Sequence, residues 1–179
     1  MHLAFSWLGV AEETSNGVML RDEVGPYVEG LSERFERVTV LVYEPPEDPA
    51  IAEDVADYLI DAPAQNVDLL PLGPKGTWHD AWRRRKRVRS IVRSASSDWD
   101  VLLLRFDRRA HLVFAGNRCP RTISMVQGHS GAVVEPALPF IERVRLAPFS
   151  WRSRWHLRRI VRGSGLLVTD GEHYLAAYG

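Results

Sequence analysis

Apolar and polar positions alternate along this chain in short blocks. Residues 2–10 form an apolar run with a small-residue exit, which predicts a buried strand. The polar stretch through Glu12, Glu13, Ser15, Asn16 and Gly17 then predicts a loop. Val24, Tyr27, Val28, Leu31 and Phe35 fall on one helical stripe, with Pro26 in a first turn that loses no donor to it. Gly30 inside that helix costs about 1 kcal/mol relative to Ala. Val38 to Tyr43 is a β-branched run stopped by Pro45 and Pro46, a second strand. Ile51, Val55, Tyr58 and Leu59 have helical spacing and predict a second helix, and Val67 to Leu72 a third strand. The longest helix is expected over Thr77 to Ser97, with Trp78, Ala81, Trp82, Val88 and Val92 near one face. Asp100 to Phe106 encloses Val-Leu-Leu-Leu, the signature of a buried parallel strand. Ala110 to Gly116 reads as a short helix and Arg121 to Gln127 as a strand. A proline-bearing stretch (Pro136, Pro139, Pro148) precedes a basic run from Trp151 to Arg162. Gly165 to Thr169 is expected to be the last strand, and Glu172 to Tyr178 to start a helix.

Strand and helix in alternation imply an α/β fold: a Rossmann-like, doubly wound parallel sheet with helices on both faces. Right-handed crossovers make 3-2-1-4-5-6 the expected strand order. At 179 residues, 45% hydrophobic and 26% charged, residues 1–179 are expected to form one domain. No apolar run approaches the roughly 20 residues that span a bilayer. A single cysteine, Cys119, and no export signal lead to the expectation of a reducing, cytoplasmic setting.

Charge changes the picture. The net charge is zero, yet residues 1–70 hold 3 Lys/Arg against 15 Asp/Glu, and residues 71–162 hold 20 against 6. A face built from the middle segment would attract anions. Arg83, Arg84, Lys86 and Arg87 beside Trp82 are its densest part and are candidates for contact with an anionic membrane surface or another anion. Arg152, Arg154, Arg158 and Arg159 near Trp151 and Trp155 repeat the mixture. A solvated helix face explains the same residues equally well. Of the polyanions, an anionic surface at the inner face of the membrane is preferred here over nucleic acid.

Ligands of open α/β sheets sit outside the carboxyl ends of the strands. The residues expected there are Ser6, Trp7, Glu44, Arg105, Asp107, Gln127, Gly128 and His129. Arg105 follows four apolar positions, where a cation needs a partner or a cleft. An ion pair with Asp107 or Glu44 competes evenly with an anion or sugar contact. Asn16-Gly17 is either a plain turn or a loop whose amides approach a phosphate, and neither a Walker nor a dinucleotide fingerprint is present. Asp98-Trp99-Asp100 imitates a metal-binding D-x-D, but it precedes its strand and so falls on the wrong edge. The histidines lack metal-ligand spacing, so neither a metal nor a cofactor is expected.

Together these segments resemble the N-terminal domain of the GT-B glycosyltransferases, the retaining family 4 group in particular. Tyr27-Val28-Glu29-Gly30-Leu31 through Arg37-Val38-Thr39-Val40, preceded by Asn16-Gly17, matches that family's first helix and second strand. Asp100-Val101-Leu102-Leu103 is similar to its fourth strand, and Ile123 to Gln127-Gly128-His129 to its fifth strand and histidine loop. Ser164 to Asp170-Gly171-Glu172-His173-Tyr174-Leu175 is similar to the end of its first domain, with Asp170 where the family has serine. The resemblance implies a two-domain enzyme that transfers a sugar from a nucleotide-sugar donor to an acceptor with retention, without an essential metal. This chain would be the acceptor-side half, inactive without a C-terminal domain. Asn16 and Gly17 would offer amides to the donor phosphates, and His129 would approach the transferred sugar as the catalytic residue. The rival expectation is a stand-alone Rossmann-like binding or regulatory module that docks on nucleic acid through its basic helices.

Overall fold

The computed structural model describes residues 1–20, 24–45, 58–61, 66–76, 78–105, 109–126, 155–156 and 158–169. Six parallel strands form the main sheet: β1 (His2–Val10), β4 (Arg37–Glu44), β6 (Val67–Pro74), β7 (Val101–Arg105), β8 (Thr122–Val126) and β9 (Leu166–Thr169). Their spatial order, β6-β4-β1-β7-β8-β9, is the expected 3-2-1-4-5-6. The fold is Rossmann-like α/β, with helices on both faces of the sheet.

The pleat of β1 sorts the core into two layers. Leu3, Phe5 and Trp7 face the cluster that holds Val24 and Val28 around α1 (Gly25–Ser32). Ala4 and Leu8 face the opposite cluster. There Val88 and Val92 of α2 (Trp78–Ala95), Leu112 and Val113 of α3 (Ala110–Gly116), and Ile160 of the helical segment 158–163 close the other face. Central strands buried on both sides are why Val38–Val42, interrupted only by Thr39, and Val101–Leu104 read as near-continuous apolar runs.

Three segments differ from expectation. Residues 12–20 form a hairpin, β2 (Glu12–Thr14) against β3 (Gly17–Leu20), and not a loop. Tyr58 and Leu59, expected in a helix, lie in strand β5 (Tyr58–Asp61), which pairs antiparallel with β3 in a small second sheet. Trp82 stands outside the buried stripe of α2 and is exposed. The expected helix from Glu172 lies outside the described residues.

The amino-terminal edge of the sheet is tied by side chains. The His2 amide donates to Asp100 Oδ2 at 2.7 Å, and the His2 ring lies 2.9 Å from the Asp98 carbonyl and 2.8 Å from Thr39 Oγ1. Asp98 ends a 3₁₀ turn (Ser96–Asp98) after α2, so the D-x-D imitation terminates a helix and anchors β1. Near the same edge, on the α1 face, Leu3, Leu31, Phe35, Val101, Leu103 and Leu166 line an apolar groove of about 550 Å³.

Candidate functional site

The carboxyl edge of a doubly wound sheet opens a crevice where the strand order reverses, here between β1 and β7. β1 leaves the sheet irregularly at that point. Its pairing with β4 shifts between Ser6 and Val10, and Leu8 adopts φ 63°, a left-handed conformation costly for a branched side chain. The shift folds the Trp7 indole over Gly9, where a Cβ would lie 2.3 Å from the ring. Backbone strain of this kind persists where surrounding structure over-determines it, commonly at ligand sites.

Arg105 ends β7 at the same edge and is half-buried. Among the described residues no hydrogen bond or ion pair engages its guanidinium, and Glu44, at the end of β4, does not pair with it. The Glu44 carbonyl instead accepts the Lys75 amide at 2.9 Å. Asp107, the other expected partner, lies outside the described residues, as do Gln127, Gly128 and His129. Arg105 thus ends β7 at the carboxyl edge without a carboxylate partner among the described residues.

A second arginine after β7 is engaged by the fold, one that reading the sequence missed. Arg109, just before α3, lies 5.1 Å over the ring of buried Tyr43 and donates to the Gly76 carbonyl at 2.6 Å. Arg84 donates from α2 to the Pro74 carbonyl at 2.8 Å. These two arginines hold the backbone that leaves β6 at Pro74 and Gly76, just after Gly73, whose φ is 97°. Arg84, expected at an anion-contacting surface, is therefore half-buried and holds backbone. The only sequence signal for Arg109 was its place after a buried strand.

The remaining expected residues sit as follows. Ser6 and Trp7 are buried; Trp7 belongs to the apolar cluster, and Ser6 Oγ is enclosed without a hydrogen-bond partner among the described residues. Asn16 and Gly17 occupy the β2–β3 turn, where the Asn16 amide donates to Thr14 Oγ1 at 3.3 Å and Thr14 Oγ1 donates to the Gly17 carbonyl at 3.0 Å. The turn uses its polar groups internally and opens onto a strand, whereas a phosphate loop opens onto a helix. Arg83, Lys86 and Arg87 are exposed on α2.

Cys119 lies at the opposite edge, before β8. Its Sγ is 3.3 Å from the Trp99 and Arg121 carbonyls, and burial pushes the thiol up from its ordinary value. It is a packed thiol far from the strand exits. His111 and His156, 45 positions apart in sequence, stack with ring centroids 4.2 Å apart, a pairing no local spacing announced. No helix among the described residues is long and apolar enough to cross a membrane. No protein-family model matches the chain, and no curated protein matches it.

Proposed function

We propose that this chain is the acceptor-side Rossmann-like domain of a glycosyltransferase that moves a sugar from a nucleotide-sugar donor to an acceptor with retention. The observation that carries the reading is Arg105, a half-buried cation unengaged by the described residues at the switch point of a 3-2-1-4-5-6 sheet. A guanidinium in such a crevice is matched to phosphate or to charge developing on a leaving diphosphate. His129 follows β8 in sequence and would reach the same edge to approach the transferred sugar, as the family resemblance implies. A second domain would close over the crevice and hold most of the donor.

The purified chain is to be incubated with a panel of nucleotide-sugars, following both turnover and binding. Weak binding that disappears in Arg105→Gln, with no turnover by these 179 residues alone, is the expected outcome. Robust sugar transfer by this domain alone would overturn the two-domain view. Binding indifferent to Arg105→Gln would remove the site.

A further inference from the structure

On the α2–α3 face the two basic runs come together with a shared spacing. Trp82, Arg85, Lys86 and Arg89 stand at i, i+3, i+4 and i+7 of α2. Trp155, Arg158, Arg159 and Arg162 repeat those intervals in the second basic run. On a helix these offsets form one stripe. The Arg85 guanidinium lies 4.3 Å over the Trp82 ring, and Arg159 lies 5.9 Å from the Trp155 ring centroid. Arg85 also donates to the Trp82 carbonyl at 2.7 Å, so this indole–guanidinium stack is held in place by its own helix.

The stripes are neighbours. Arg89 and Arg159 line one small cleft together with His111, Phe114 and Ala115 of α3. The segment 158–163 is docked firmly: Ile160 is buried, Ser164 Oγ lies 2.6 Å from Ser124 Oγ, and Gly165 donates to the Thr122 carbonyl at 2.9 Å. Trp155, half exposed, and Arg158, Arg159 and Arg162 surround a recess of about 330 Å³. Against these cations, α2, α3 and 158–163 carry one carboxylate, Asp80.

We propose that this surface binds single-stranded nucleic acid, its phosphates meeting the arginine stripes and its bases stacking on Trp155. Two features favour that partner over a lipid surface. A helix that lies in a membrane interface buries its apolar face among the lipids, and here Val88, Val92 and Ile160 are already committed to the protein core. Flat aromatic rings flanked by guanidinium groups on a basic track are the means by which single strands are held without sequence preference. The proposal is independent of the glycosyltransferase reading, because the surface lies on a helical face and not at the strand exits.

The test is fluorescence anisotropy with a labelled 20-nucleotide oligouridylate, with sedimentation on phosphatidylglycerol vesicles at matched salt as the competing arm. Oligouridylate binding is expected to weaken steeply with salt, as counterion release requires. Changing exposed Arg158 and Arg162 together to Ser should flatten the slope of log K against log salt by about 0.7 per lost phosphate contact. Trp155→Ala should weaken binding about 10-fold, with circular dichroism confirming that the variants keep their fold. Tighter binding to vesicles than to oligouridylate, no binding to either, or oligouridylate binding untouched by these variants would each overturn the proposal.

Discussion

Gly30 in α1 and Gly116 at the end of α3 answer substitution in opposite directions. A Cβ at Gly30 meets nothing within 4 Å, so Gly30→Ala should stabilise the protein by about 0.5–1 kcal/mol through helix propensity and a less disordered unfolded chain. A Cβ at Gly116 would lie 2.7 Å from the Arg89 carbonyl of α2, backbone that cannot swing aside. Gly116→Ala should therefore destabilise by about 1–3 kcal/mol. Urea unfolding of the two variants checks both signs. Cys119 gives a pH signature. Because burial raises the folded thiol, the native state holds its proton more tightly than the unfolded chain does. Its stabilisation is complete below the ordinary thiol value of the unfolded chain and is lost as pH rises through the folded one. Stability measured across the alkaline range should thus fall more steeply for the parent than for Cys119→Ala.

The elements legible in the sequence were those whose burial is two-sided or whose stripe is long. Val38–Tyr43 and Val101–Leu104 could only be central strands, and α2 announced itself over five turns through Ala81, Val88 and Val92. The second sheet was hidden for a physical reason. Ile51, Val55, Tyr58 and Leu59 satisfy helical spacing, but β5 is decided by pairing with β3, about forty residues earlier, and distant pairing overrides a local pattern. Asn-Gly was legible as a turn, and the structure places it in a hairpin. The link between α1 and β6 is another distant contact. Asn66 Nδ2 donates to the Ser32 carbonyl at 2.7 Å and the Phe35 carbonyl at 2.9 Å, satisfying acceptors that the end of α1 leaves open. Asn66→Ala should cost about 1–3 kcal/mol by stranding those carbonyls in a half-buried site. Unchanged urea stability would show that water replaces the amide there.

Among the described residues, the charge asymmetry along the chain becomes an asymmetry between helices. α1 carries Glu29 and no Lys or Arg, while α2 carries seven cations and the segment 158–163 three more. The site was only partly legible. Arg105 stood out because a cation after four buried apolar residues needs a reason, and the structure leaves it without a partner among the described residues. Arg109 and the strained exit at Leu8 were not legible, because a cation–ring contact and a backbone conformation both depend on neighbours distant in sequence. The central claim is that the β1–β7 strand exits bind a phosphate-bearing ligand through Arg105. The direct measurement is a nitrogen–proton correlation spectrum of the labelled chain titrated with uridine diphosphate, repeated on Arg105→Gln. Shift changes at the amides of Leu8, Gly9, Arg105 and Arg109, saturating with ligand and absent from the variant, are the expected result. Changes confined to α2 and residues 158–163, or identical in parent and variant, would contradict the account.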